Sequence, residues 1–188
     1  GQITVANSAL LNYESATSAR LTVRVTDSGT GALSTTAVVT IAITNANEAP
    51  TFPGQTFSIA ENSANGTVIG TLSATDPDGG GSLTYQLVSS SVSGAVTINA
   101  STGRITIANS SAFNHETRTS IDLQVRVTDS GNPALSTVAP VTILITDVNE
   151  ATPNISDKTF SVAENAADGV VIGTITGTDA DTRQTLTY

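Results

Sequence analysis

The sequence predicts an all-β protein of tandem Greek-key, seven-stranded β-sandwich repeats of about 102 residues, each immunoglobulin-like in architecture. Three observations predict it. Long segments recur at a fixed spacing, short runs rich in Val, Ile, Thr and Leu are punctuated by Gly, Asn, Asp and Ser, and the longer runs alternate apolar with polar residues. The recurrence sets the organisation. Leu21–Gly29 (LTVRVTDSG) returns as Leu123–Gly131 (LQVRVTDSG), 102 residues later, and Ile43–Ala49 (ITNANEA) returns as Ile145–Ala151 (ITDVNEA). Phe57–Asn62 (FSIAEN) returns as Phe160–Asn165 (FSVAEN) at a spacing of 103. The phase divides the chain into the C-terminal half of one repeat (1–48), a complete repeat (49–150) and the N-terminal third of another (151–188). A half or a third of such a unit is too small to bury a core of its own. The chain is therefore expected to be a window on a longer repetitive protein, with strand exchange between neighbouring molecules as the alternative.

The complete repeat should carry seven strands, at Thr56–Glu61, Thr67–Thr75, Leu83–Val88, Ala95–Asn99, Arg104–Ala108, Ser120–Asp129 and Val138–Asp147. In the sixth, Ile121, Leu123, Val125 and Val127 share one face, and Asp122, Gln124, Arg126 and Thr128 share the other. That period of two marks a strand with one buried and one wet face. Val141, Ile143 and Ile145 repeat the pattern in the seventh. Seven short strands in about 100 residues favour two packed sheets. No stretch keeps a 3.6-residue apolar period between caps, so helices are minor. Phe57, Phe160, Tyr85 and Tyr188 recur at matching phases and are expected to pack in core or sheet. Arg24 and Arg126 are expected on the wet face beside acids.

Composition removes several functions. Cysteine is absent, so thiolate-ligated zinc, iron–sulfur clusters and disulfides are excluded. Seven basic against 16 acidic residues give a net charge of −9, without a basic patch, which argues against nucleic acid as a partner. No apolar run reaches the roughly 18 residues of a membrane span, so no insertion is expected in this segment. The opening residues read as strand rather than signal peptide. No nucleophile elbow or phosphate loop is present, and the chain is not expected to be an enzyme. The DPDGGG segment lacks the third ligand and closing Glu of an EF-hand loop.

The acids carry the functional signal. All six Glu fall into three repeat pairs, Glu14/Glu116, Glu48/Glu150 and Glu61/Glu164. Asp27/Asp129, Asp76/Asp179 and Asp78/Asp181 recur likewise, and Asp147 stands opposite Asn45. Solvated surface charge would not need such phase, since the copies have drifted elsewhere. These acids lie at strand ends and turns. Two carboxylates 4 Å apart repel by about 4 kcal/mol at an effective dielectric near 20. A hard dication relieves that repulsion, and Ca²⁺ accepts six to eight oxygen ligands in flexible geometry, where Mg²⁺ prefers fewer and tighter. With no Cys and a single His, Ca²⁺ is the expected cofactor.

The ordered set of motifs resembles the cadherin family, in particular the cadherin-like repeats of bacterial surface proteins. AEN at Glu61 and Glu164 resembles the family's PEN segment, and NYE (Asn12–Glu14) and NHE (Asn114–Glu116) its DRE segment. NANEAP (Asn45–Pro50) and DVNEA (Asp147–Ala151) resemble the DxNDN linker, DPD (Asp76–Asp78) and DAD (Asp179–Asp181) match the DxD pair, and VTD at Asp27 and Asp129 matches the later Asp. The resemblance implies Ca²⁺ at junctions between successive repeats. At the first junction it implicates Asn12, Glu14, Asn45, Asn47 and Glu48 with Asp76, Asp78 and Asp129. At the second it implicates Glu61, Asn114, Glu116, Asp147, Asn149 and Glu150 with Asp179 and Asp181. The first set lacks a PEN-type Glu and the second a later Asp. Asn stands for the usual Asp at 12, 45 and 114, so two or three weaker ions per junction are expected. His115, opposite Tyr13, is expected to pack as an aromatic. The implied function is a calcium-rigidified stalk of an extracellular or bacterial cell-surface repeat protein, adhesive and filament-forming, whose partners are neighbouring repeats. Alternatives are a module for surface glycans or homotypic self-association, and a spacer in a larger extracellular enzyme. The absence of Trp gives no support to the Trp-docking strand swap of vertebrate members.

Overall fold

A computed structural model describes residues 1–181 and 184–188. It divides into two compact units. The first comprises Gly1–Phe52, Ser73–Thr84 and Val127–Val138, and the second Pro53–Leu72, Tyr85–Arg126 and Ala139–Tyr188.

The first unit is organised by a hairpin. Strands β1 (Ser18–Thr26) and β2 (Ser34–Ala42) pair antiparallel, with Ala19 opposite Ile41, Leu21 opposite Val39 and Val23 opposite Ala37. The turn between them is pinned by Asp27, whose Oδ1 accepts hydrogen bonds from Gly29 N and Leu33 N, both at 3.1 Å. A short side chain accepting two loop amides fixes an Asx-type turn. Although β1 alternates as the sequence predicts, its apolar face is open: Leu21, Val23 and Val25 are exposed. The segment before it makes one 3₁₀ turn at Ser8–Leu10, capped by Asn7 Oδ1 on Ala9 N at 3.0 Å.

The second unit holds the sandwich. Its strands are β3 (Gln55–Ala60), β4 (Val68–Thr71), β6 (Val96–Ile98) and β7 (Arg104–Ile107), with most of β5 (Thr84–Ser90), β8 (Ser120–Thr128) and β9 (Ser136–Thr146). One sheet has the order β3-β9-β8-β5, the other β4-β7-β6. The β3 and β9 strands run parallel, with Phe57 opposite Ile143 and Ile59 opposite Ile145. A parallel pair needs a long crossover, here the whole intervening repeat. Between the sheets lie Ile69, Leu72, Ile105 and Ile107 from one side and Ile121, Leu123, Val125, Val141, Ile143 and Ile145 from the other, all buried. Full burial of each such side chain is worth about 1.5–3 kcal/mol.

The predicted strand Thr67–Thr75 is shorter than expected. A register shift between Val68 and Gly70 bends β4, and Gly70 lies against the Phe57 ring so closely that a Cβ would overlap it. Phe57 thus packs across the sandwich, as expected of a recurring aromatic. A second 3₁₀ turn, Ser110–Ala112, occupies the same repeat phase as the first and is capped by Asn109. Arg24 and Arg126 are exposed on the wet face as expected, but their hydrogen-bond partners are neutral: Arg24 donates to Ser34 Oγ at 2.7–3.0 Å and Arg126 to Gln86 Oε1 at 3.4 Å. Among the described residues of 151–188, the sole ladder contact is an isolated bridge between Asn154 and Thr178. Strand-forming sequence without a partner strand cannot satisfy a ladder.

Candidate metal centre

The first carboxylate cluster lies within the first unit. Glu14, Glu48 and Asp78 each bring an oxygen within 4.8 Å of the others. Backbone amides place the aspartates. Asp78 Oδ2 accepts from Glu48 N at 2.8 Å, and Asp76 Oδ1 accepts from Asp78 N at 3.0 Å, so the DxD pair folds on itself as a turn. Asn47, Asp76, Asp78 and Asp129 line one shallow cavity floored by Gly79, Gly80 and Gly81. Asp129 divides its oxygens: Oδ1 accepts from Gly131 N at 2.9 Å and Leu135 N at 3.0 Å, while Oδ2 accepts from Asn47 Nδ2 at 3.0 Å. Gly131 is required here, because a Cβ would collide with the Asn47 amide. Burial, reinforced by Glu14, Asp78 and Asp76, raises the Glu48 carboxyl above its ordinary 4.5. Asp129 is buried, which alone would raise it, yet the amides of Leu135 and Gly131 and the Asn47 side chain hold it below 3.8. Asn12 Oδ1 accepts from Ser15 N at 2.7 Å, and Asn45 is exposed.

The second cluster lies within the second unit and is two overlapping groups. Glu61, His115, Glu116 and Asp147 form one; Glu116, Glu150 and Asp181 form the other. Glu61, only 2% exposed, caps two chain segments: Oε2 accepts from His115 N at 2.7 Å and Oε1 from Val148 N at 2.8 Å. Its burial raises its pKa, but those two hydrogen bonds, together with the Glu116 side chain and the His115 charge, outweigh the burial and leave it below 4.5. Glu116 runs the other way. Its own amide lowers it, while burial and the charges of Glu61 and Glu150 prevail and raise it. Asn114 donates to Glu116 Oε2 at 3.0 Å and orients it. Asp181 Oδ2 accepts from Ala151 N at 3.1 Å, and Asp179 Oδ1 accepts from Asp181 N at 3.0 Å, repeating the Asp76–Asp78 turn. Asn149 is exposed, as are Asp147 and Glu150 beside it.

Two residues escaped the sequence reading. His115 is more than a packing aromatic, since its Nδ1 lies 3.8 Å from Asp147 Oδ1 inside the acidic group. Its Tyr13 counterpart concealed this. Asn62 donates to Glu150 Oε1 at 3.0 Å, and its presence in both AEN motifs was the available signal.

The donor chemistry fits a hard dication. Buried Glu48 Oε2, Asp78 Oδ1, Glu116 Oε1 and Asp181 Oδ1 have no hydrogen-bond partner. An unpartnered buried carboxylate oxygen is costly unless a cation meets it. Each cluster places two such oxygens among further carboxylates, and oxygen-only sets of this kind suit Ca²⁺.

Fold and clusters together define a tandem β-sandwich repeat with carboxylates gathered at matching repeat phases. Residues 55–146 match the Cadherin domain family, and the middle repeat is a cadherin domain. The chain is 33% identical over 184 residues to the "Cadherin EGF LAG seven-pass G-type receptor fmi-1" of Caenorhabditis elegans, covering 94% of this chain and 7% of that receptor. It superposes on the protocadherin GammaB4 extracellular domain with a TM-score of 0.70 at 30% identity, over 91% of this chain and 30% of that one. It also superposes on the protocadherin gammaB7 EC3-6 cis-dimer structure, with a TM-score of 0.69 at 27% identity, over 91% and 44%. The chain thus spans a minor part of the relatives it matches. Among the described residues no helix is long and apolar enough to cross a membrane.

Proposed function

We propose that this chain is a segment of an extracellular, calcium-stiffened adhesive stalk, with repeat limits at 48/49 and 150/151 and Ca²⁺ held by the two carboxylate clusters. One observation carries the reading: clusters at matching repeat phase each aim two buried, unpartnered carboxylate oxygens at further acids. Glu14, Glu48, Asp76, Asp78, Asn47 and Asp129 would hold the ion at the first. Glu61, Glu116, Asp147, Glu150, Asp179 and Asp181 would hold it at the second. Bound Ca²⁺ supplies charge neutralisation and a rigid tie among segments from successive repeats. The protein's own residues do the rest: the DxD turns present Asp78 and Asp181, and Glu61 locks His115 and Val148 into place. The family is one of adhesion domains rather than enzymes. The fmi-1 relative is an animal protein, so the bacterial form of the expectation draws no support from it. Homotypic contact is the favoured kind of partner, since a solved relative is a cis-dimer. Isothermal titration of the EDTA-treated chain with CaCl₂ tests the reading. Saturable binding at two or more sites, lost stepwise in Asp78→Asn and Asp181→Asn, is expected. Absence of binding at millimolar calcium would refute it.

A further inference from the structure

We infer that the second carboxylate cluster holds a transition-metal dication of the zinc class, with His115 Nδ1 as a ligand beside Asp147 and Glu116. This rests on the cluster being a metal site, as read above, but not on calcium being its ion. The geometry begins with the one imidazole of the chain. Its backbone is anchored, since His115 N donates to Glu61 Oε2 at 2.7 Å, and the turn around it is closed by Thr117 N on Asn114 Oδ1 at 2.9 Å. The ring turns inward. The His115 side chain is 11% exposed, and Nδ1 itself is buried without a hydrogen-bond partner. Asp147 Oδ1 lies 3.8 Å from it, too far for a hydrogen bond. A dication bonded to nitrogen and to a carboxylate oxygen at about 2.0–2.2 Å each can span up to about 4.2 Å between them, so this gap admits an ion. Glu116 Oε1, in the same group, is likewise buried and unpartnered, and all four donors of the group lie within 4.8 Å of one another. A buried ring nitrogen and a buried carboxylate oxygen, both unmet, are costly unless a cation joins them.

Calcium gives this imidazole no role. Ca²⁺ takes oxygen ligands, whereas imidazole nitrogen suits zinc, nickel and copper. The chain also carries its own contrast. At the matching repeat phase, the first cluster has Tyr13 where the second has His115, and Asn45 where the second has Asp147. The two residues that face each other across 3.8 Å are thus both present at one cluster and both replaced at the other. The glutamates recur at both, as Glu14 with Glu116 and Glu48 with Glu150. The carboxylates are therefore the shared part, and the His–Asp pair is an addition specific to the second cluster. A neutral phenol and a carboxamide are poor zinc ligands, while a histidine nitrogen and carboxylate oxygens are among the ordinary ones. Access is open as well. A cavity of about 450 Å³, lined by His115, Thr119, Thr146 and Asp147 among others, leads to the pair. Glu61 has a supporting part, because each of its oxygens already accepts from a backbone amide. By fixing the histidine's backbone it orients the ring, as outer partners of metal-bound histidines do.

Separate zinc and calcium titrations of the whole, untagged chain, freed of EDTA, test the inference. Because His115 is the sole histidine, its ring nitrogens report ligation without ambiguity. In ¹H–¹⁵N spectra, ZnCl₂ should move Nδ1 to a metal-bound shift and leave Nε2 protonated, while CaCl₂ should leave both nitrogens outside the metal-bound range. In isothermal titration, His115→Tyr, which copies the first cluster, should weaken the tightest zinc site by at least about tenfold, the least that loss of even an outer partner costs. The same change should alter calcium affinity by no more than about twofold, since calcium draws on the oxygens. Tyr13→Phe, at the first cluster, should change neither. Zinc that leaves the His115 nitrogens unmoved, or that binds His115→Tyr as tightly as the unaltered chain, would overturn the inference. The spectra need no variant, so a misfolded His115→Tyr would not hide the result. Zinc ligation by His115 without calcium binding would refute the calcium reading alone. Calcium binding without zinc ligation would refute the zinc site alone, and absence of both would refute both.

Discussion

Replacing Glu116 by Gln separates repulsion from ligation, because the two effects have opposite signs. Glu116 belongs to both groups of the second cluster, and the charges of Glu61 and Glu150 help raise its pKa. Without calcium it is a liability, so Glu116→Gln should raise the melting midpoint in EDTA. With calcium it offers an oxygen to either group, so the same change should lower the midpoint. The scale comes from linkage. One ion at one hundred times its dissociation constant adds about 2.7 kcal/mol. For a domain of this size each kcal/mol moves the midpoint by about 4–8 °C, which gives about 10–20 °C per ion. Circular-dichroism melts at low micromolar protein, in 1 mM EDTA and across a calcium series, measure it, the concentrations being set at about the range expected of extracellular sites. The unaltered chain should show a saturable rise of that size, and Glu116→Gln should lose at least half of it while starting higher. A parallel fall of both curves would mean that Glu116 serves as a structural hydrogen-bond acceptor, and the cluster reasoning would fail.

Protons should compete with calcium. In the calcium-free chain, Glu48 and Glu116 have pKa values raised above 4.5, so their contribution is fully present below 4.5 and is lost as pH rises through the raised values. Glu61 and Asp129 are lowered, so their contribution is present above 4.5 and 3.8 and is lost as pH falls through the depressed values. Melts in EDTA should therefore improve as the pH falls toward the ordinary carboxylate range and collapse below it, while the calcium increment shrinks over the first interval. Leu123→Ala should cost about 2–5 kcal/mol in denaturant unfolding of the sandwich, whereas Leu21→Ala, the same residue at the same repeat phase, should cost about 0.5 kcal/mol or less in dilute monomer. Equal costs would contradict the open face of β1. Gly70→Ala should destabilise by about 1–3 kcal/mol, because the new Cβ must displace the Phe57 ring, and Phe57→Leu in the same chain should recover part of that loss.

Much of the architecture was legible because its cause is local. Alternation in Ile121–Val127 follows from a strand's period of two, and the structure buries those four residues together. Asp129 could be read as a turn acid because Asp-Ser-Gly favours an Asx turn, and it makes one. Other features were not legible. The bend after Val68 depends on Phe57, eleven residues away, pressing on Gly70. Glu14, Glu48 and Glu150 converge with acids from distant segments, which their motifs alone do not state. A motif fixes which residues travel together along the chain, while a turn decides which side chain faces the site.

The sequence by itself determined the repeat, its period, the all-β fold and the phase of every recurring acid, because alternation, turn chemistry and self-similarity are properties of short stretches. Only the tertiary structure decided that β3 runs parallel to β9, that Glu61 caps His115 and Val148, and that Glu116 is shared by two groups. These depend on segments more than fifty residues apart meeting in space. Likewise Leu123, read from its alternation only as facing a core, is buried against the strands of the opposite sheet. A hydrophobic pattern states which face is to be covered; what covers it is decided by the partner strand.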